Sequence, residues 1–368
     1  MTHRVDPKER ASQKPRRGNI SHSPLLVFYE VTLACDLVCT HCRACAQSKA
    51  HPDELATEQS LRLIDQLADF PSPPMLVLTG GDPLKRADIF LLARRAAWRG
   101  LDVSITPSAT PLVTSEAIQH LHCAGISRMA ISIDGADATT HDATRGVQGS
   151  FDRSVQILAD AHIEGISTQV NTTITPQNVG QIDRIAQLLA RQNIAMWSVF
   201  FLVPTGRARF ASRLTADECE AAFEVLWHQS QCQSYTIKTT AAPHYRRFII
   251  QNQAQNGNRN AGGAPSSHTP LGVNDGKGVM FVNHAGKIYP SGFMPIVCGV
   301  FPMDHLMSVY QDSPIFRRLR DANRLEGKCK VCEFRNVCGG SRARAYAVTG
   351  NPFAEEPDCA FIPKVIAE

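Results

Sequence analysis

No apolar run in this sequence approaches the roughly 20 residues that a bilayer-spanning helix needs, so no membrane span is expected. The segment Met1 to Arg17 is polar and basic and has no apolar core, which excludes a secretory leader there. Charge of one sign is also scarce. The formal net charge is +4, and six basic against two acidic side chains in residues 1–17 account for all of it. The remaining body is close to neutral and lacks the basic face of a nucleic-acid footprint, so no nucleic-acid partner is expected. Residues 1–22 read as a basic disordered arm. No self-similarity at a period of roughly 20–50 residues is evident, which argues against a solenoid.

The chain that remains is that of a globular protein: 43% hydrophobic, 20% charged. Its 368 residues are enough for an α/β barrel of roughly 200–250 residues plus a smaller domain. Of its 12 cysteines, seven fall in two tight groups near opposite ends. A chain this large without a leader does not need disulfide staples. Metal ligation in a reducing cytoplasm fits the cysteines better, and a cytoplasmic location is expected.

Between Leu25 and Val203, strand-like runs alternate with helix-like segments. The runs are Leu25–Val31, Met75–Leu78, Leu101–Ile105, Met129–Ile133, Thr168–Thr172 and Ala195–Val203. The segments with helical period are Glu58–Asp69, Asp88–Trp98, Ser115–Cys123, Ser154–Ile163 and Ile182–Leu189. This alternation predicts a parallel sheet with right-handed crossovers. Six βα units fall short of a closed barrel, so the expected α/β fold is a partial (β/α)6 TIM barrel with its chemistry at the C-terminal strand ends. Thr215–Ser230 and Pro243–Gln251 read as further helices. Residues 251–270 read as a flexible linker or loop, rich in Asn, Gln, Gly and Ser. Val279–Val282 and Lys287–Tyr289 read as a hairpin. The expected division is 23–250 for the barrel and 271–368 for a C-terminal domain.

The first strand leads into Cys35-Asp-Leu-Val-Cys39-Thr-His-Cys42. Three thiolates in one loop can hold an iron–sulfur cluster and leave one iron open to a chelating ligand. Zinc is the competing occupant, with His41 and Cys45 near enough to complete its shell. The second group, Cys329-x2-Cys332-x5-Cys338 with Cys359 beyond, supplies the four thiols of a closed shell, for which zinc competes again.

Taken together, the two groups in this order on this scaffold resemble the radical S-adenosylmethionine (SAM) enzymes that carry a C-terminal SPASM-type auxiliary iron–sulfur domain. The resemblance covers roughly residues 24–363. It implies that Cys35, Cys39 and Cys42 ligate a SAM-binding [4Fe–4S] cluster, and that His41 stands where the family often packs a ring near SAM. Thr79-Gly80-Gly81-Asp82-Pro83 looks like the family's Gly-Gly-Glu-Pro motif, with Asp for Glu. Glycines there let backbone approach the ligand closely. Further cofactor-binding positions implied by the family are Thr106 and Ser108 beside the ribose, Ser132 and Asp134, and Arg145 near the SAM carboxylate. Asn171 ends the fifth strand, and backbone at Val203 would hold adenine. Cys329, Cys332, Cys338 and Cys359 match the ligands of one auxiliary [4Fe–4S] cluster. Asp275, Ser291 and Arg342 stand where fuller SPASM patterns place further cysteines, so one auxiliary cluster is expected.

Cys338-Gly-Gly-Ser-Arg-Ala-Arg-Ala-Tyr346 and Glu356-Pro-Asp-Cys359 look most like the subgroup acting on tetrapyrroles, the heme and heme d1 biosynthesis enzymes. That resemblance implies reductive cleavage of SAM to a 5′-deoxyadenosyl radical and oxidation of a porphyrin propionate. The protein would position and shield, and the cofactor would break bonds. An electron donor such as flavodoxin or ferredoxin is implied. A peptide substrate for a maturase, and a non-catalytic electron-transfer role, are the alternatives. A tetrapyrrole's carboxylates call for fixed cations, for which Arg207, Arg209, Lys238, Arg246, Arg247 and Arg342 are candidates at the rim or domain junction.

Overall fold

The computed structural model describes residues 19–255 and 272–367. Residues 1–18 of the expected arm, and most of the expected linker, lie outside the described residues. The parts that are described are ordered. Tyr310 Oη donates to the Ile20 carbonyl (2.6 Å) and Gln311 Nε2 to that of His22 (2.9 Å), so 19–22 is tied down rather than part of an arm. Residues 251–255, expected in the linker, are the last turn of a helix. No helix among the described residues is long and apolar enough to cross a membrane.

Among the described residues ten strands form one sheet: β1 (Leu26–Glu30), β2 (Met75–Thr79), β3 (Val103–Ile105), β4 (Ile126–Ser132), β5 (Ser167–Ile174), β6 (Met196–Phe201), β7 (Thr236–Thr240), β8 (Val279–Val282), β9 (Lys287–Tyr289) and β10 (Gly299–Val300). The order is β10-β9-β8-β1-β2-β3-β4-β5-β6-β7. Strands β1 to β7 run parallel, as the βα alternation predicts, and β8 adds to β1 in parallel. The hairpin β8–β9 therefore extends the barrel sheet instead of standing apart from it.

Outward side chains of these strands, Val27, Tyr29, Leu76, Leu78, Met129, Ile131, Val170, Trp197 and Val199, are buried under the helices in one core. The helices over that face are α1 (Thr57–Ala68), α2 (Ile89–Trp98), α3 (Ser115–Cys123), α4 (Ala138–Arg145), α5 (Ser150–Ile163), α6 (Ile182–Ala190), α7 (Ala216–Cys232) and α8 (His244–Gln255). Local chemistry starts several of them. Thr114 Oγ1 accepts from the Ala117 amide, Asp137 from Thr140, and Thr215 with Glu218 forms a reciprocal capping box.

Two elements escape the periodicity. Strand β7, Thr236-Ile-Lys-Thr-Thr240, turns one apolar side chain, Ile237, into the core and is ordered by its ladder with β6. Helix α4 is short and polar, and buries a histidine, His141, where a periodic helix would bury leucine.

One buried ion cluster ties β1 to both the cysteine loop and the hairpin. Glu30, 3% exposed at the end of β1, accepts from Arg43 Nη2 (2.9 Å) and lies 2.8 Å from His284 Nδ1. Arg43 also stacks over Phe281 of β8, 4.6 Å from its centroid. Burial alone would raise the Glu30 carboxyl. Arg43 and His284 outweigh it and hold the group below the usual carboxylate range. Its stabilisation is thus present above the unfolded-state value and is lost as pH falls through the lower folded value. Glu30→Ala, which strands the Arg43 guanidinium and leaves the His284 ring without its partner, should lower stability by about 3 kcal/mol in urea unfolding at neutral pH. The deficit should shrink on acidification.

Candidate functional site

The loop after β1 is closed on itself before any cofactor is considered. Ala34 bridges to Gln47, the Cys35 amide donates to the Gln47 carbonyl (2.7 Å), and that of Gln47 donates to Leu33 (3.0 Å). Inside this ring Cys35, Leu37, Cys39 and Ala46 form a small buried cluster, with Cys42 and Val147 packed against it. The segments after two strands and the end of one helix then press on the loop with bare backbone. A Cβ on Gly81 would lie 2.4 Å from the Ala34 carbonyl oxygen. One on Gly206 would lie 2.4 Å from both the Cys42 and Arg43 oxygens, and one on Gly146 2.8 Å from that of Val38. Gly206 and Gly146 are also left-handed, at φ +62° and +71°. The chain offers a cradle that only glycine fits.

Around this cradle the structure brings together the positions expected at the rim and shows what each side chain does. Asp82 is fully buried. Its carboxylate accepts from Thr110 Oγ1 (2.7 Å), the Leu84 amide (3.2 Å) and the Ser108 amide (3.4 Å), so it braces the turn into Pro83 from below. Ser108 Oγ donates to the Gly81 carbonyl (2.9 Å) and lies 3.3 Å from Cys35 Sγ, joining β3 to the cysteine loop. The Gly80 and Gly81 amides run along Thr32 and Ala34, where Gly81 N donates to Thr32 and Asp82 N to Ala34. Thr106 and Ser132 are half-buried at the ends of β3 and β4. Asn171 Oδ1 accepts from Gln169 Nε2 (2.7 Å). Val203 is buried in a second apolar cluster with Met294, Leu319, Ala343 and Phe353, and its carbonyl accepts from the Thr205 amide (2.8 Å).

Arg145 is committed to the protein. Its Nη2 lies 2.6 Å from Asp134 and its Nη1 3.7 Å from Cys39 Sγ. Burial opposes the Asp134 charge, and the Arg145 guanidinium overcomes it and holds the carboxyl low. His41 Nε2 lies 3.6 Å from the same carboxylate, its Nδ1 is buried without a partner, and burial lowers its pKa. Arg207 was expected only as a rim cation. It lies over the cysteine loop, its amide donating to the Cys42 carbonyl (3.0 Å), while its Nε and Nη2 are buried and unpartnered.

The second thiol group converges as well. Cys329, Cys332, Cys338 and Cys359 line one cavity, enclosed by His244, Arg247, Phe334, Gly340, Glu356 and Phe361. Burial pushes the thiols of Cys338 and Cys359 up, to about 12 and about 11, so any metal group entering must displace their protons. Both His244 nitrogens are fully buried with no partner, a cavity-facing polar group that the sequence reading missed because it opens an ordinary helix. The cavity is braced by Arg344, which pairs with Glu356 (2.8 Å) and Asp358 (2.9 Å).

Several expected rim cations are engaged elsewhere. Arg342 is buried and donates to the Gly340, Pro352 and Ala354 carbonyls, and Arg247 pairs with Glu220. Arg246 donates to the Val337 carbonyl, and Arg209 is exposed. At the hairpin ends, Asp275 accepts from the Ala343 amide (2.9 Å) and from Ser291. Asp275 thus serves helix α12 (Arg342–Thr349), which follows α9 (Leu306–Asp312), α10 (Pro314–Arg320) and α11 (Gly327–Val331), and Ser291 serves Asp275.

The Radical SAM superfamily pattern matches residues 29–189. The chain is 34% identical to the AdoMet-dependent heme synthase of Methanosarcina barkeri over 94% of its own length and 98% of that protein's. It is 37% identical to the enzyme of the same name from Nitratidesulfovibrio vulgaris, over 92% and 93%. Among solved structures, Streptococcus suis SuiB superposes with a TM-score of 0.70 at 18% identity, over 92% of this chain and 78% of that one, which is a likeness of fold. Gly81→Ala and Gly206→Ala should each cut the iron retained per chain after anaerobic reconstitution severalfold while the far-UV circular dichroism is kept, because the added methyl meets loop carbonyls and not the core.

Proposed function

This chain belongs to the radical SAM superfamily, in the family of the AdoMet-dependent heme synthases, and we propose that it oxidises a propionate side chain of a tetrapyrrole. It is an enzyme that works with a [4Fe–4S] cluster and SAM. Bound together, these supply a 5′-deoxyadenosyl radical able to take a hydrogen atom from an unactivated carbon. The chain's own residues do the rest. In our reading Cys35, Cys39 and Cys42 hold the cluster in the glycine-walled loop. The rim of Gly80, Gly81, Thr106, Ser108, Ser132, Asn171 and Val203 holds SAM. Asp82, Asp134 and Arg145 support that rim through the contacts described, and Arg207 has free donors for an anionic group of the cofactor. Strand ends and loop together exclude water from the reacting carbon.

The observation that supports the substrate assignment is the span of the similarity: over 92–94% of the chain it extends through the C-terminal thiol cavity to proteins named for heme synthesis. We assign Cys329, Cys332, Cys338 and Cys359 to one auxiliary [4Fe–4S] cluster, which would accept the second electron of an oxidative decarboxylation. Asp275, bonded to α12, and Ser291, bonded to Asp275, leave no thiol pair for another at the hairpin. We place residues 23–250 in the barrel and 271–368 in the auxiliary domain, the whole in the cytoplasm with a flavodoxin or ferredoxin as donor. A peptide substrate is the second reading, since more distant relatives include the mycofactocin maturase of Mycolicibacterium smegmatis, 28% identical.

Reconstituted protein should carry about eight iron atoms per chain, from two four-iron clusters. A value near twelve would refute the single auxiliary site. Replacing Cys35, Cys39 and Cys42 by Ala should abolish 5′-deoxyadenosine formation from SAM under dithionite. Replacing Cys329 and Cys332 should leave part of that cleavage and stop product formation. Mass spectrometry of reactions with Fe-coproporphyrin III decides the substrate: a decarboxylated porphyrin is expected, and an unchanged one beside active SAM cleavage would refute the tetrapyrrole.

A further inference from the structure

The inward face of the barrel is polar where a closed parallel barrel is usually packed with branched apolar side chains. Ser132, Asn171, Ser198 and Lys238 are hydrogen-bonded neighbours in one rung across β4, β5, β6 and β7. Side chains in one rung share a face, and Val170, Trp197, Val199 and Ile237 face the helices, so this rung faces the barrel interior. Lys238 is thus inside the barrel, level with the strand ends assigned to SAM, and not on the rim as expected from sequence.

A second cation joins it. The register between β3 and β4 shifts after Val103, so that Ile126 opposes Val103 but Arg128 opposes Ser104. The extra residue, Ser127, faces solvent and bonds Asp102. This bulge turns Arg128 onto the same inward face as Ala130 and Ser132. Arg128 Nε is buried with no partner.

Neither side chain has a carboxylate in ion-pair contact among the described residues, and the charge that most affects Lys238 is Arg128 itself. Burial and that guanidinium push the Lys238 ammonium down to about 8. Several other guanidiniums with little exposure have a carboxylate, Arg43 with Glu30, Arg145 with Asp134 and Arg344 with Glu356 and Asp358, and Arg342 is satisfied by carbonyls instead. Two half-buried like charges that act on one another, each without a carboxylate partner among the described residues, carry a cost. The fold even spends a β-bulge to bring the second one in.

We propose that Arg128 and Lys238 form an anion socket inside the barrel that receives a carboxylate of the substrate. The ligand supplies the countercharge that the protein withholds, and a planar guanidinium beside an ammonium suits a carboxylate oxygen pair. The socket would set how the substrate is oriented beneath SAM and would select multiply carboxylated molecules over their neutral analogues. This rests on the tetrapyrrole reading above, whose propionates are the carboxylates in question.

The test is fluorescence titration of the full-length, cluster-loaded protein with coproporphyrin III and with its tetramethyl ester, for wild type, Lys238→Met and Arg128→Gln. Wild type should prefer the acid to the ester. Each substitution should weaken binding of the acid about tenfold or more and leave that of the ester unchanged. Thermal unfolding of the porphyrin-free proteins gives an independent readout: Lys238→Met should melt at or above wild type, since it removes a half-buried charge that has no carboxylate partner among the described residues. Acid binding as tight in both variants as in wild type overturns the socket alone. So does equal weakening of acid and ester, or a Lys238→Met protein that melts well below wild type, because either outcome makes the lysine a structural residue. Wild type that binds neither porphyrin overturns the tetrapyrrole reading, and the socket with it.

Discussion

Everything in this structure depends on backbone meeting backbone around residues 32–47. Three thiols must hold fixed positions on a loop, and loops do not hold positions by themselves. Here the loop is bonded to itself through Cys35 and Gln47 and then wedged between glycines that carry no side chain at the point of contact. Gly81 follows β2, Gly146 caps α4 and Gly206 follows β6, so three separate parts of the barrel gauge the loop at once. The motif at 79–83 therefore acts on the cysteines as much as on any ligand. Asp82 contributes by bracing Leu84, Ser108 and Thr110 beneath it. Glu in place of Asp would have to fit one more methylene into a fully buried pocket.

Buried charges then join what the backbone has placed. Glu30 holds Arg43, the residue after Cys42, and His284 of the hairpin, so the cysteine loop and the C-terminal segment share one carboxylate. Arg344 ties Glu356 and Asp358, the neighbours of Cys359, and approaches the Phe201 carbonyl of β6 at 3.5 Å. Ion pairs this deep contribute little net stability after desolvation, but they penalise wrong arrangements heavily when one partner is lost. They suit a molecule whose two thiol sites must keep a fixed separation. In the barrel interior Arg128 and Lys238 have no such carboxylate partner among the described residues.

The sequence by itself determined the alternation of β1 to β6 with their helices, because each strand carries an apolar outward face and each helix an apolar stripe, both periodic and local. It also determined the two cysteine groups, whose spacing is a property of the chain and not of its folding. What it left open has one physical cause: polar side chains carry no period. Strand β7 went unread because only Ile237 faces the core, and its existence depends on the ladder with β6. Whether a cation is free or spent was equally unreadable. Arg342, Arg247 and Lys238 look alike as letters, yet the first lies among carbonyls, the second on Glu220, and the third is alone with Arg128. Convergence of Cys359 on Cys329, turning of Arg128 by a bulge, and attachment of the hairpin to β1 all bring together residues distant in sequence, and only the tertiary structure decides such meetings.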